Sequence, residues 1–258
     1  MSLGDAALAR AIATGAGELL LQLRRAGLFD GKSAGKIGDR LANTFIMAAL
    51  REHRPEDAVL SEEEKDNRAR LDRSRVWIVD PLDGTREYGE ARTDWAVHVA
   101  LAVDGEASLG AVALPGLGMT LCSDTVAPAA PERTPLRMLV SRTRPAAEAV
   151  EVARALGAEL IPMGSAGAKA MAVVRGEADL YVHTGGQYEW DSCAPVAVAR
   201  AAGLHVSRVD GSPLRYNRED VYLPDLLICH KQRAAQVLGV LANLAESQSP
   251  GRSSERSL

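Results

Sequence analysis

The chain reads as an α+β front half followed by an α/β back half, and three features of its patterning carry that assignment. Up to Pro55 the apolar residues recur at helical spacing; residues 76–122 follow the two-residue rhythm of strands; from residue 136 onward, short apolar runs alternate with helical segments.

Ser2 and Asp5 supply an S-x-x-D start signal, and Leu8, Ile12, Leu19 and Leu23 keep helical spacing until Gly27. The Gly- and Lys-rich segment 31–38 reads as a loop, after which Asp39 is placed to cap a second helix carrying Leu41, Phe45 and Ala49; Pro55 ends it. Residues 76–79 form a short strand. Trp95, Val97, Val99, Leu101 and Val103 alternate as in a half-buried strand, Asp104-Gly105 turns the chain, and 110–114 and 119–122 continue an antiparallel meander. The Pro- and Ala-rich segment 125–135 reads as a linker between an N-terminal subdomain, 1–124, and a C-terminal one, 136–245. Strands at 136–141, 160–163 and 178–182 then alternate with helices at 145–156, 165–175 and 192–202. Strands at 205–209 and 226–229 and a helix at 232–245 follow, and the Ser-rich tail 246–258 is expected to be disordered.

Composition excludes several classes of protein. Among 258 residues, 30 Lys and Arg against 34 Asp and Glu leave a net charge of −4, so no positive field draws the chain to nucleic acid or acidic lipid. No apolar run approaches the roughly eighteen residues of a membrane span. The first apolar stretch follows Asp5 and contains Arg10 and Glu18, unlike a signal peptide. Cys122, Cys193 and Cys229 are far apart and odd in number, which suits a reduced, cytoplasmic protein without a disulfide framework or zinc site.

The densest chemical signal is Asp80-Pro81-Leu82-Asp83-Gly84-Thr85, directly after a strand. Two carboxylates straddle a proline-stiffened turn, presenting hard oxygens to a hard cation, while Gly84 and Thr85 offer backbone N–H groups and a hydroxyl to an anion beside it. Ser61-Glu62-Glu63-Glu64 and Glu189-Trp190-Asp191 are further acidic segments. Taken singly, they read as a solvated face and a helix N-cap; converging on the first turn, they would need cations to offset their repulsion.

Together these three segments resemble the lithium-sensitive, Mg²⁺-dependent inositol monophosphatase superfamily, in order along residues 3–245. Gly164-Ser165-Ala166-Gly167-Ala168-Lys169 and the segment from Asp210 to Asn217 are most similar to its bacterial CysQ-type 3'(2'),5'-bisphosphate nucleotidase branch. The resemblance implies a layered α-β-α-β-α sandwich of two subdomains with the site between them. It also implies that Glu62, Asp80, Asp83, Asp191 and the Leu82 carbonyl hold two or three Mg²⁺ ions. Gly84 and Thr85 would then bind phosphate oxygens, and Thr85, supported by Asp39 and with Glu62 nearby, would activate the attacking water. Substrate contacts would come from Asp83, Gly84, Thr85, Gly164, Ser165, Lys169 and Asp191.

The implied reaction is hydrolysis of the 3'-phosphate of adenosine 3',5'-bisphosphate to AMP, and of the corresponding phosphosulfate, in sulfur assimilation. The implied partner is a small phosphomonoester, with the chain a monomer or homodimer. Inositol 1-phosphate or fructose 1,6-bisphosphate are the alternatives within the superfamily, and a nucleotide or metal sensor on the same fold is the alternative outside catalysis. Lys36 stands where many members carry a threonine before the Asp39 position, and Thr184 stands where inositol-selective members carry a glutamate that reads sugar hydroxyls.

Some residues keep two readings. Lys169 is either a contact to the nucleotide or its second phosphate, or a solvated helix lysine; Gly164 and Ser165 either touch ribose or base, or only cap a helix. Arg86, Arg92 and Arg215 are basic, but nothing selects among them as a second-phosphate ligand. His98 is expected to be a packed histidine, Trp190 to fix the approach of Asp191, and Cys193 to pack in a helix.

Overall fold

The computed structural model describes residues 3–248. In order, the elements are α1 (Asp5–Arg25), α2 (Gly31–His53), β1 (Ala58–Ser61), β2 (Arg75–Asp83), α3 (Thr85–Gly89), β3 (Ala96–Val103), β4 (Glu106–Leu114) and β5 (Met119–Cys122). After a segment without helix or strand come β6 (Arg137–Ser141), α4 (Ala147–Leu156), β7 (Glu159–Met163), α5 (Ala166–Val174), β8 (Leu180–His183), β9 (Gln187–Tyr188) and α6 (Glu189–Ala201). The chain continues through β10 (His205–Ser207), β11 (Tyr222–Leu223), β12 (Leu226–Cys229) and α7 (Lys231–Gln248).

Five layers result, in the α-β-α-β-α order. The first sheet runs β1-β2-β3-β4-β5, antiparallel except where β1 lies parallel to β2. One face buries Trp77, Val79, Val97 and Val99 against Leu8, Ile12, Leu20 and Ile46 of α1 and α2. Its other face, with Ile78, Ala100 and Val112, packs on α5 and α6, whose apolar residues also meet Tyr181 and Ile228 of the second sheet. That sheet, β10-β12-β8-β6-β7, covers its far side with α4 and α7 through Val152, Val237 and Leu241. α5 and α6 are thus enclosed on both sides. This explains why nearly every residue of α5, and Ser192 to Ala199 of α6, are buried, with none of the polar stripe of a surface helix.

The structure corrects several boundaries. Residues 31–38 are helical, so Asp39 lies inside α2 and does not cap it. The glycines that suggest a loop are used for close approach: a Cβ on Gly35 would stand 2.5 Å from Thr85 Cγ2, and one on Gly38 3.0 Å from Leu20. α6 begins at Glu189, so Asp191 sits in its first turn and does not precede it. α1 follows Gly4, with no side chain capping it, and Ser2 lies outside the described residues. α7 continues to Gln248, so residues 246–248 of the expected tail are helical, while 249–258 lie outside the described residues. The short pair β9 and β11 has no signature in the sequence pattern, because two residues cannot establish an alternation.

Polar anchors join the first layers. Asp57 accepts hydrogen bonds from Arg75 at 2.9 and 2.8 Å and from the buried Trp77 indole at 2.9 Å, and Arg75 also reaches Asp5 in α1. Burial alone would raise the Asp57 carboxyl, but Arg75 and Trp77 outweigh it and hold it below its ordinary value of 3.8. Its contribution to stability is therefore complete above that value and fades as pH falls through the lower folded value. Asp57→Asn should lower the urea midpoint at pH 7, and the gap to wild type should narrow as the pH is taken below 3.8.

The contact between β4 and α6 is just as tight. A Cβ on Gly110 would lie 2.6 Å from the Ala194 carbonyl oxygen and 2.7 Å from its Cα, and these backbone atoms cannot rotate away. Gly110→Ala should cost about 1–3 kcal/mol by overpacking. In a melting curve that is a fall of roughly 2–12 °C.

Candidate metal and phosphate site

The site begins where β2 loses its ladder. Pro81 has no N–H, the pairing of β2 with β3 shifts between Asp80 and Asp83, and Leu82 N donates back to Asp80 Oδ1 at 3.0 Å. Gly84 then takes φ +86°, left-handed, with Trp95 and Ser165 close enough that a Cβ would lie 3.1 Å from Ser165 Cβ. Only glycine fits that combination of torsion and crowding. Among the described residues, the N–H groups of Gly84 and Thr85 donate to no protein acceptor.

On the opposite wall, the first turn of α6 supplies Asp191, whose Oδ2 accepts Tyr188 N at 2.6 Å. Carboxylate oxygens of Asp80, Asp83 and Asp191 all lie within 4.8 Å of one another. Glu62 stands outside that group, on the exposed rim after β1. Its value rises to about 7 through desolvation in the crowded rim and repulsion from Asp191, opposed by a hydrogen bond with Asp80. Burial, then repulsion from Glu62 and Asp83, pushes Asp80 well above the ordinary carboxyl value; burial and Asp83 lift Asp191 to about 6. Three walls of the fold therefore press like charges together.

Asp83 alone among them is held down, at about 2. Burial would raise it, but His98, Ser165 and Gly167 outweigh that effect. Its Oδ2 accepts Ser165 Oγ and Gly167 N, both at 2.5 Å, and Oδ1 accepts Ala166 N at 3.1 Å, so the carboxylate sits at the N-terminal end of α5. One lone pair of Oδ1 remains unclaimed. His98, fully buried on β3, is packed as expected but not inert. Its Nδ1 must donate to the Trp190 carbonyl at 3.0 Å, which directs Nε2, 3.3 Å away, at Asp83 Oδ2. Facing a carboxylate, Nε2 is favoured with its proton on: burial lowers the imidazole value, but Asp83 outweighs it and raises the net value above 6.5. His98 thereby ties the Asp83 turn to the segment bearing Asp191.

Lys169 is not the solvated lysine of one sequence reading. Its Nζ is buried, donates to the carbonyls of Gly164 and Ser165 at 2.7 Å each, and lies 5.3 Å from the Tyr181 ring centre. It thereby braces the turn in which Ser165 has a positive φ of +30°. Ser165 also caps α5 by accepting Ala168 N at 2.9 Å. Sequence reasoning misses Asp94, which accepts Gly164 N at 2.7 Å and pairs with Arg92; an isolated aspartate before a strand carries no signal. Of the arginines left open, Arg86 pairs with Glu90, Arg92 with Asp94, and Arg215 with Glu106.

Thr85 Oγ1 lies 3.1 Å from both Asp39 Oδ2 and the Leu82 carbonyl. One hydroxyl proton serves only one of these acceptors at a time. Burial, followed by Glu62 and Glu63, raises Asp39 to about 8, with the Thr85 hydrogen bond opposing, and Asp39 Oδ1 is buried without a partner. A cleft of about 660 Å³ opens here, lined by Lys32, Lys36, Asp39, Glu63, Thr85 and Arg86.

This fold and site define a phosphatase, and comparison with known proteins gives its class: residues 5–247 match the inositol monophosphatase family, to which this chain belongs. A 3'-phosphoadenosine 5'-phosphate phosphatase of Mycobacterium leprae is 53% identical over 93% of this chain and 94% of its own. The 3'(2'),5'-bisphosphate nucleotidase CysQ of Escherichia coli K12 is 32% identical over 72% of this chain and 80% of its own. The crystal structure of CysQ from Bacteroides thetaiotaomicron superposes with a TM-score of 0.77 at 30% identity, covering 88% of this chain and 97% of that one.

The donor set fits a hard divalent cation: carboxylate oxygens at close quarters, with no Lys or Arg ion-paired to them among the described residues, His98 facing Asp83, and the buried Lys169 acting on Asp83 and Asp191 only through space. Asp80→Asn keeps the acceptor for Leu82 N and removes one of the repelling charges. In EDTA its melting temperature should equal or exceed that of wild type, while the rise of several degrees that saturating Mg²⁺ gives the wild type should disappear.

Proposed function

We propose that the chain removes the 3'-phosphate of adenosine 3',5'-bisphosphate to leave AMP, with Asp80, Asp83, Asp191, Glu62 and the Leu82 carbonyl holding Mg²⁺. The observation that carries this is the convergence of two buried carboxylates, Asp80 and Asp83, and the half-buried Asp191 on a turn with two unclaimed N–H groups and a hydroxyl held by Asp39. When bound, Mg²⁺ supplies electrostatic stabilisation of the phosphoryl oxygens and lowers the pKa of water.

The protein's own groups do the rest. Gly84 and Thr85 N–H groups receive phosphate oxygens and stabilise the charge that grows on them. Thr85 Oγ1 would hand its proton toward Asp39 once bound cations offset the Glu62 charge that helps to raise the Asp39 carboxyl, leaving its lone pairs to accept a proton of the attacking water. If the Leu82 carbonyl were to hold a cation, Asp39 would remain as the acceptor for that hydroxyl proton. Gly164, Ser165 and Lys169 act as the wall of the substrate site, keeping Asp83 ionised and in place. The halves 1–124 and 136–245 each contribute one side. No helix among the described residues is long and apolar enough to cross a membrane, and a reduced, cytoplasmic setting suits the three free, buried cysteines.

The nucleotide is favoured over inositol because the Thr184 hydroxyl is spent on Glu148, at 2.7 Å, and offers no carboxylate to a polyol. The sequence similarity to bisphosphate nucleotidases points the same way. Phosphate release should be fastest with adenosine 3',5'-bisphosphate, slower with inositol 1-phosphate and fructose 1,6-bisphosphate, and absent in EDTA. Asp191→Asn should be inactive. Thr85→Ala should lose about 10²–10⁴ in kcat with the fold intact; near-normal turnover by either variant would remove the assignment.

A further inference from the structure

The chain exposes few aromatic rings. Trp77, Trp95, Tyr88, Tyr181 and Tyr216 are all at most 2% exposed, yet Tyr188 and Tyr222 leave 46% and 44% of their surface in solvent. These two stand together, three residues before Asp191 and on the strand paired with it. The Tyr188 ring stacks on Trp190, with centroids 4.9 Å apart and planes at 15°, and Tyr222 meets Tyr188 edge to face at 6.0 Å and 78°.

The frame beneath them is fixed. Tyr188 and Tyr222 are directly opposite in the β9–β11 pair, and Gly186, at φ +78°, leaves the space that the Tyr222 hydroxyl fills. The Tyr188 N–H is itself bound to the Asp191 carboxylate at 2.6 Å, so the ring and the acidic cluster are positioned by the same turn. Neither the Tyr188 nor the Tyr222 hydroxyl has a hydrogen-bond partner among the described residues. A stacked aromatic group held rigid and half in water is a surface for another flat ring, since every base presents a π-face.

We propose that Tyr188, backed by Trp190 and flanked by Tyr222, is the platform on which the purine base of the substrate stacks while its 3'-phosphate lies at the carboxylate cluster. This rests on the reading of the chain as a nucleotide phosphatase. It would also supply the recognition that Thr184, its hydroxyl turned to Glu148, does not offer to a polyol. Stacking of this kind tolerates exchange of one purine for another.

The test compares adenosine 3',5'-bisphosphate with an analogue lacking the base, 1,2-dideoxyribose 3,5-bisphosphate, in wild type, Tyr188→Ala and Tyr188→Trp. For Tyr188→Ala, kcat/KM for the nucleotide should fall by about one to two orders of magnitude, through KM. Turnover of the abasic analogue should be unchanged, and Tyr188→Trp should restore the nucleotide. Equal losses on both substrates, or no loss on the nucleotide, overturn the platform. Calorimetric binding of AMP against ribose 5-phosphate reads it without turnover. If AMP binds better only while Tyr188 is present and no nucleotide is hydrolysed, the activity assignment fails and the platform stands. Hydrolysis of the nucleotide with Tyr188→Ala unaffected sinks the platform alone.

Discussion

The structure depends on forcing carboxylates together that would otherwise separate. Asp80, Asp83 and Asp191 lie within 4.8 Å of one another with Glu62 at their rim, and two unit charges some 4 Å apart repel by about 4 kcal/mol at an effective dielectric near 20. Such an arrangement persists only if the elements that carry the charges are pinned from elsewhere. The five-layer packing does this: β2 lies between two cores and α6 between two sheets, so neither Asp80 nor Asp191 can retreat without disturbing buried apolar contacts. The strain of the site is carried by the hydrophobic effect at a distance.

Within that frame the carboxylates are not equivalent. Asp83 is given donors from α5 and His98 and stays ionised, whereas Asp80, Glu62 and Asp191 have little beyond one another and a single backbone N–H each for Asp80 and Asp191. One permanent anion surrounded by three whose charge must be offset suits hard cations and, once they are bound, an anionic ester. The unclaimed N–H groups of Gly84 and Thr85 beside it are donors suited to such an ester. His98 joins the two sides by contacting Asp83 with one ring nitrogen and the Trp190 carbonyl with the other.

Much of this was legible in the residues. Asp80, Asp83, Gly84 and Thr85 lie within one six-residue segment, so their turn is written locally; the helix and strand rhythms gave α+β followed by α/β, and the family resemblance implied the layers. What was not legible depended on distance in the chain. Residues 31–38 look like a loop because Gly31, Gly35 and Gly38 are poor helix formers. In the fold, Gly35 and Gly38 are small because Thr85, Leu20 and Tyr88 press against them. Lys169 reads in the sequence as either a contact to the nucleotide or a solvated helix lysine, since nothing near it shows that the Gly164 and Ser165 carbonyls will close over it. Asp94 and the β9–β11 pair were missed for the same reason: their partners lie far along the chain.

If the cluster formed by Asp80, Asp83 and Asp191 is a cation site, its open side receives the phosphate. A crystal structure of the wild-type protein grown with Ca²⁺, AMP and inorganic phosphate tests it most directly. The account predicts a cation about 2.3–2.6 Å from oxygens of these three aspartates, with a phosphate oxygen completing its shell next to the Gly84 and Thr85 N–H groups. Cation and phosphate found together at another place on the protein, with the cluster holding only its protons, would contradict it.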